Sequence, residues 1–262
     1  MRTRRRPGAP RLLIVALVSS VVAAAWVTGA RASTPPDAAA ANASWARVLE
    51  RFVDHQGRVD FQGLAEDRVD LDRYVSWVAS TSPERHPERF PDAASRLAFY
   101  LNSYNALSMH GVLETGIPRS LDGFMKVSFF VLRHVVVGGR SRSLLAYEND
   151  VIRTLGEPRV HFALNCMAVS CPRLPRKPFT AQNLDAELER EALRFFAEPR
   201  NLMVDAQTRT ITFNEILAFF PEDFLAVAPS LAAYANRYAL DPVPLDYQVQ
   251  FRPYDWGVNA QP

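Results

Sequence analysis

Three side chains within a short segment could carry out nucleophilic chemistry. His161 is followed by Cys166 and then by Cys171, in a segment that also contains Asn165 and Ser170. A cysteine becomes a nucleophile when a nearby base takes its proton, and a carboxylate or an amide commonly holds that base in place. These residue types therefore predict a thiol nucleophile at Cys166, with His161 as its base.

Glu148 is the best acidic candidate for the third member of such a site. Together with Asn149 it falls between Leu145 and Ile152 on a helical stripe that otherwise faces the core. Polar groups on such a face require hydrogen-bonding partners. We therefore expect Glu148 to orient His161.

The two cysteines allow a second interpretation. In an oxidising compartment, Cys166 and Cys171 are expected to form a local disulfide or to lie as small buried apolar side chains. A disulfide would leave no thiolate, and the domain would then be a non-catalytic binding or envelope-structural module. A third interpretation makes His161 and both cysteines metal ligands, but their spacing matches no established zinc pattern, so we expect no metal and no cofactor.

Two asparagines, Asn102 and Asn105, lie three residues apart on a predicted long helix and would point in the same direction. Buried amides can present a donor and an acceptor to a substrate or to an oxyanion. They more often connect a helix to a neighbouring loop, and the sequence leaves both alternatives open. We treat these two residues, together with Cys171 and Asn149, as candidate substrate contacts.

The elements that must position these side chains are mainly helical. Apolar periodicity and capping residues predict helices at about 44–57, 71–78, 92–113 and 180–197. Turn residues between apolar runs predict hairpins at 131–144 and 202–213. Without an internal repeat or a regular alternation of strands and helices, the expected fold is α+β, a helix-rich single domain packed on a small, mainly antiparallel sheet.

The segment 159–166 is a short apolar run for which we predict a strand. On a strand, His161 would lie on the face opposite to Cys166. Only a bend after Asn165 would then bring a thiol back toward the imidazole.

The first 32 residues predict export. Five arginines precede an uncharged apolar run at residues 12–29, which ends in Ala30-Arg31-Ala32. This order is typical of a signal peptide, after which we expect a flexible tether at 33–43 and one domain at 44–262. The apolar run is also long enough for an uncleaved anchor. The predicted location is therefore periplasmic or extracellular, with membrane contact only if the signal is retained.

The charge distribution argues against nucleic acid as a partner. The formal charge of +2 includes six arginines and no acidic residue in residues 1–32, so their removal leaves a charge of −4. Binding to nucleic acid requires clustered lysines and arginines, whereas Lys126 and Lys177 are the only lysines of the chain. We expect a small-molecule or peptide substrate instead.

Four separated motifs resemble a known family. They are residues 98–107, 143–153, 160–172 and 254–259. In this order they resemble the family called domain of unknown function 547, which occurs in many exported bacterial proteins and is distantly similar to papain-like thiol hydrolases. The resemblance extends from about Trp45 to Asn259 and implies hydrolysis of acyl or amide bonds.

The resemblance also assigns individual positions. The family's asparagine pair, histidine and cysteines fall on Asn102, Asn105, His161, Cys166 and Cys171. Its glutamate–histidine pair falls on Glu148 and Asn149, so that asparagine replaces the histidine here. Asparagine cannot take up a proton near neutral pH. If the family's histidine is the base, this chain is altered or inactive, and if His161 is the base, the change matters less.

Overall fold

The computed structural model describes residues 37–262, which form helices and short strands. The helices are α1 (Ala38–Phe52), α2 (Phe61–Glu66), α3 (Val69–Ser80), α4 (Ala93–Glu114), α5 (Phe124–Val127), α6 (Leu144–Tyr147), α7 (Leu184–Ala197), α8 (Ile216–Phe219), α9 (Pro221–Leu225) and α10 (Leu231–Ala235). The strands are β1 (His134–Val137), β2 (Arg140–Ser143), β3 (Leu202–Asp205), β4 (Thr210–Asn214) and β5 (Gln248–Arg252). Short π turns at Ser128–Leu132 and Glu148–Ile152 continue α5 and α6, and 3₁₀ turns lie at Pro87–Arg89, Arg153–Leu155 and Pro158–Phe162. The helix-rich α+β fold is therefore confirmed, and the described residues pack as one compact unit.

Helix α4 is the central element of the helical layer. Asp92 caps its first turn, because its carboxylate accepts from the backbone N–H of Ser95 while the Ser95 hydroxyl bonds back to Asp92. Almost every residue between Leu97 and Val112 is buried. A helix that is covered on all sides holds its polar side chains in fixed positions, which matters for the two asparagines that it carries.

Helix α1 begins earlier than the sequence pattern predicts. We expected a tether as far as residue 43, but the helix begins at Ala38, and Ala41 is fully buried. The tether prediction is therefore wrong for residues 38–43, because consecutive alanines favour a helix once one face can pack. Ser44, at which this helix was predicted to begin, lies inside it and accepts hydrogen bonds from Arg47 and Arg73.

Both predicted hairpins are present, in two separate small sheets. Strands β1 and β2 pair antiparallel, and their turn uses Gly138 and Gly139 with φ of 58° and 80°, a conformation that favours glycine. Strands β3 and β4 also pair antiparallel. Strand β5 joins β4 in parallel, so two of the three strand pairs are antiparallel.

The predicted strand at 159–166 is wrong. Residues Pro158–Phe162 form a 3₁₀ turn, in which Pro158 supplies a suitable φ at the start and the Glu157 carboxylate caps the backbone N–H of Arg159. A short apolar run has the same periodicity signal in a buried strand and in a buried helical turn. The inference that His161 and Cys166 lie on opposite faces therefore does not apply.

The segment that carries His161 is held between two hydrophobic cores. Val160 and Leu164 belong to the larger core, which α1 to α4 build, whereas Phe162 packs in a second core around Phe195 and Phe224. Packing on both sides fixes the backbone of this segment.

The residues before position 37 include the whole predicted export signal and the first four residues of the predicted tether. The predicted signal peptide at 1–32 lies outside the described residues. None of the helices within 37–262 has both the length and the apolar character that crossing a bilayer requires.

Candidate functional site

Segments that are far apart in the sequence enclose a cavity of about 400 Å³. Its polar lining consists of Tyr104, Lys126, Glu148, His161, Cys166, Cys171 and Tyr254. The cavity therefore brings together the imidazole, the carboxylate and both thiols that the sequence singles out. The rest of the lining is apolar and is analysed below.

His161 is paired with a carboxylate that the sequence analysis missed. Its Nε2 lies 2.7 Å from Oδ2 of Asp223, and its ring stacks on Phe220 at a centroid distance of 4.5 Å. The hydrogen bond to a carboxylate places the ring proton on Nε2 and leaves Nδ1 as an acceptor. Nδ1 is buried and has no hydrogen-bond partner among the described residues. His161 can therefore accept a proton at Nδ1 while Asp223 stabilises the resulting imidazolium.

Arg153 supports this pair from the outer side. Its guanidinium binds both carboxylate oxygens of Asp223, at 2.7 and 3.1 Å, and also contacts Glu222. The hydrogen bond with His161 and those from Arg153 hold the pKa of Asp223 well below its usual range. Asn149 accepts a hydrogen bond from Arg153 at 2.8 Å and does not line the cavity. Asn149 therefore supports Arg153 instead of serving as the predicted substrate contact.

Glu148 does not orient His161. Its Oε2 accepts a hydrogen bond from the Tyr104 hydroxyl at 2.8 Å, while the imidazole binds Asp223 instead. The predicted role is wrong because Glu148 lies on the π turn that follows α6, whereas Asp223 on α9 lies beside the ring. Burial raises the pKa of Glu148, and nearby His161 and the Tyr104 hydroxyl offset this only in part.

Cys171 has the sulfur that is better prepared to carry negative charge. It accepts hydrogen bonds from the backbone N–H of Cys166 and from the Tyr254 hydroxyl, both at 3.1 Å. Burial raises the pKa of the Cys171 thiol, but the hydrogen bonds from Cys166 and Tyr254 outweigh burial and bring it below its usual value. The S–H of Cys166 donates to Cys171. This contact, together with burial, raises the pKa of Cys166 well above its usual value. The geometry therefore favours a thiolate at Cys171 and a neutral thiol at Cys166.

Both cysteines are free thiols, so the expected local disulfide is absent from the described residues. The sulfur of Cys166 lies 3.7 Å from the Tyr254 hydroxyl oxygen. No hydrogen bond among residues 37–262 joins either sulfur to His161. A proton that passes between thiol and imidazole in this geometry requires a bridging group such as water.

The loop that carries the cysteines is fixed by asparagines. Asn105 on α4 accepts from the backbone N–H of Asn165 at 2.8 Å and donates to the carbonyl of Ala163 at 3.0 Å. Asn165 in turn accepts from the N–H of Met167, a buried residue with φ of 68°. A left-handed residue other than glycine is strained and persists only when its surroundings hold it. The amide contacts of Asn105 and Asn165 supply that constraint.

Asn102 has a similar structural role elsewhere. Its Oδ1 accepts from Trp45 and from the backbone N–H of Phe179, and its Nδ2 donates to the Phe179 carbonyl at 2.7 Å. Neither Asn102 nor Asn105 lines the cavity. Both amides therefore connect helix α4 to loops, which is one of the two alternatives that the sequence leaves open. The structure does not support the predicted substrate contacts at these positions.

We expect Asn105→Ala to lower the free energy of unfolding by about 2–4 kcal/mol, because two buried backbone groups would lose their partners. Urea unfolding of the variant measures this loss. Asn149→Ala is the control, since its amide lies outside the cavity lining and binds only an arginine. Equal destabilisation by the two variants would contradict the role assigned to Asn105.

We expect Asp223→Asn to lower the free energy of unfolding by about 1–2 kcal/mol at neutral pH, because a charged pair and its hydrogen bonds are lost. The pKa of Asp223 is lower in the folded state than its unfolded value of about 3.9. Its stabilising effect is therefore complete above that value and decreases as the pH falls below it. Urea unfolding at neutral pH and at about pH 3 should show a smaller difference from wild type in acid, and a constant difference would contradict this assignment.

Metal ligation finds no support in the described part of the chain. No group of three or more histidine, cysteine, aspartate or glutamate side chains in residues 37–262 has a geometry that could hold a metal ion. His161 and the two cysteines are not members of such a group.

Comparisons with known proteins give one match. No curated protein and no solved structure matches the chain. The family model that matches covers Asn105, His161 and both cysteines, and it ends before Asp223 and Tyr254. Over residues 88–196, which are less than half of the chain, the sequence matches the family described as Protein of unknown function, DUF547, and this match supports the family resemblance of the motifs.

Proposed function

We propose that this domain is a thiol-dependent hydrolase of acyl or amide bonds. The observation that carries the proposal is the cavity in which two free thiols and the imidazole of a His161–Asp223 pair face the same space. A nucleophile, a base and a group that orients the base are the parts that covalent catalysis of acyl transfer requires. The distant resemblance to papain-like thiol hydrolases agrees with this set.

In the proposed mechanism, Cys171 is the nucleophile and Cys166 supports it. The hydrogen bonds from Cys166 and Tyr254 stabilise the Cys171 thiolate. The sequence alone favours Cys166 as the nucleophile, but Cys171 receives the hydrogen bonds from the Cys166 N–H and the Tyr254 hydroxyl, while contact with Cys171 and burial raise the pKa of Cys166. The two assignments predict different mutational results, which are argued in the Discussion.

The reaction proceeds in two acyl-transfer steps. The thiol proton of Cys171 passes through a bridging water to Nδ1 of His161, and the sulfur attacks the substrate carbonyl carbon to form a C–S bond. The bond to the leaving group breaks as His161 returns the proton to that group. His161 then takes a proton from an attacking water, and hydrolysis of the thioester releases the acid and restores the thiol.

We also propose that the domain acts outside the cytoplasm on a small-molecule or peptide substrate. The basic, apolar and small-residue order of residues 1–32 supports export. The size of the cavity fits a small molecule or one side chain of a peptide rather than a folded protein.

Trapping of an acyl-enzyme tests the proposed function. The protein is incubated with p-nitrophenyl acetate at mildly acidic pH, and its intact mass and cysteine peptides are measured. We expect one acetyl group on Cys171, and release of the group as the pH is raised. The matched control is the variant Cys166→Ser/Cys171→Ser. Equal ester hydrolysis by the control, or no adduct and no turnover in the wild type with esters and amides, would contradict the proposal.

A further inference from the structure

We propose that the cavity binds an amphiphile, with an aliphatic acyl chain against its apolar walls and an anionic group at Lys126. This inference names the substrate class of the site and rests on the proposed function only for the reaction that follows binding. It is carried by three features of the cavity: the chemistry of the walls, the exposed residues at the mouth and the position of one lysine.

The walls of the cavity are mainly apolar. Aliphatic and aromatic side chains from distant segments form them, among which are Phe130, Leu164, Ile216 and Phe220. Apolar contacts favour a flexible hydrocarbon because they act without direction and increase with the area removed from water. A polar peptide or a sugar would lose hydrogen bonds to water in this space without replacing them.

The mouth of the cavity exposes further apolar side chains, which we call the apolar rim. The rim consists of Val127, Val131, Leu145 and Phe219, which are 45%, 43%, 40% and 37% exposed. They come from α5, from the π turn that follows it, from α6 and from α8. Exposed apolar side chains that gather around a cavity, rather than singly over the surface, are typical of a binding site for an apolar ligand.

Lys126 supplies the single ammonium group of the cavity lining in the described residues. Its Nζ lies 3.8 Å from the ring centroid of Trp256 and 5.7 Å from that of Phe219, so aromatic faces rather than carboxylates surround it. A cation without a carboxylate partner at the edge of an apolar cavity is complementary to an anionic ligand.

The position of Lys126 also places the anionic group relative to the reacting bond. The Trp256 ring packs against Tyr254 at a centroid distance of 4.6 Å, and the Tyr254 hydroxyl donates to the sulfur of Cys171. Lys126 is therefore separated from the thiol by two aromatic side chains. An anion bound at Lys126 therefore lies away from the reacting carbon, so the substrate is expected to carry its negative charge on a group other than the carbonyl that Cys171 attacks.

Binding of saturated carboxylates tests the chain site. Isothermal titration calorimetry of the full protein with octanoate, decanoate and dodecanoate, each below its micelle concentration, should give an affinity that rises about tenfold for each two methylenes. Val131→Trp at the exposed rim should weaken dodecanoate binding at least about tenfold by obstructing the mouth. Leu240→Trp is the matched control, because Leu240 is exposed and lies outside the cavity lining. An affinity independent of chain length, or equal effects of the two tryptophans, would overturn the inference.

Charge neutralisation tests the anion site. Lys126→Met should weaken dodecanoate binding about fivefold and leave dodecanol binding unchanged, whereas Lys177→Met, at the other lysine, should change neither. Thermal unfolding of each variant confirms that it is folded. Equal losses for dodecanoate in the two lysine variants would overturn the role of Lys126.

The same experiments separate this inference from the proposed hydrolysis. Chain-length-dependent binding without turnover of any acyl ester or thioester would support the ligand class and contradict the hydrolase. Acetylation of Cys171 by p-nitrophenyl acetate without chain-length-dependent binding would support the hydrolase and overturn the ligand class.

Discussion

Cys171→Ser is expected to reduce kcat/KM for ester hydrolysis by about 10³-fold or more, because a serine hydroxyl is not ionised near neutral pH and no group of the site deprotonates it directly. Cys171 is the sulfur that accepts hydrogen bonds from Cys166 and Tyr254. Hydrolysis of p-nitrophenyl butyrate by purified protein measures the effect.

The matched control for this prediction is the neighbouring cysteine. Cys166→Ser keeps the backbone N–H that donates to Cys171 and removes one S–H donor, so we expect a loss of only about tenfold. A variant that also tests the second donor, Tyr254→Phe, should show a comparable loss and a shift of the activity profile to higher pH. If Cys166→Ser instead abolishes activity and Cys171→Ser retains it, the assignment of the nucleophile is wrong and the expectation from the sequence is right.

His161→Gln is expected to reduce kcat/KM by about 10²–10⁴-fold, which is the usual contribution of a general acid–base group. Glutamine retains hydrogen-bonding groups but cannot take up the thiol proton or return it to the leaving group. Asp223→Asn removes the carboxylate that fixes the ring tautomer and should cost about 10–100-fold. Steady-state kinetics with p-nitrophenyl butyrate give both values.

The control for this prediction is an exposed histidine. His134 lies at the surface, and within residues 37–262 its imidazole bonds to the carbonyl of Leu132 and not to the candidate site, so His134→Gln should leave the rate unchanged. The two steps of the reaction can also be measured separately. With p-nitrophenyl acetate, both acylation and deacylation should be slower in His161→Gln than in the wild type, because the imidazole acts in both steps. Rates for His161→Gln within about threefold of wild type would exclude the imidazole as the base.

Local patterns in the sequence predict local structure well in this protein. The capped α4 helix and the glycine turn between β1 and β2 follow from neighbouring residues, and both were predicted from them. The segment after Pro158 was predicted incorrectly, because its apolar run suits a buried turn as well as a strand, and the surrounding cores decide between them. The start of α1 was also missed, since an alanine-rich segment forms a helix only when tertiary packing covers one face.

The candidate site shows what a single sequence leaves undetermined. His161 and the cysteines were found because they are reactive residue types close together in the chain. Asp223 and Tyr254 were missed as their partners, because each comes from a distant segment and only tertiary packing brings it near. The role predicted for Glu148 was wrong for the same reason. Its place on a helical stripe shows that it faces the core, but not which polar group it contacts there.

Asn149 lies beside the cavity rather than in its lining. The resemblance implies a histidine at this position, whereas the asparagine binds Arg153, which in turn binds the carboxylate of Asp223. An amide at this position can hold an arginine but cannot transfer a proton. In the proposed reaction the base is therefore a different residue, and we assign this role to His161, whose imidazole lines the cavity.

The central claim is that Cys171, rather than Cys166, is the thiol whose pKa the site lowers and whose sulfur attacks the substrate. The pH dependence of its alkylation by iodoacetamide, followed peptide by peptide from mildly acidic to alkaline pH, reports the ionisation of this thiol. We predict that Cys171 reacts before Cys166 and at a pH below the value of about 8.5 that is typical of free cysteine. A Cys171 that reacts only at or above that pH, or a resting disulfide between the two cysteines, would contradict the account.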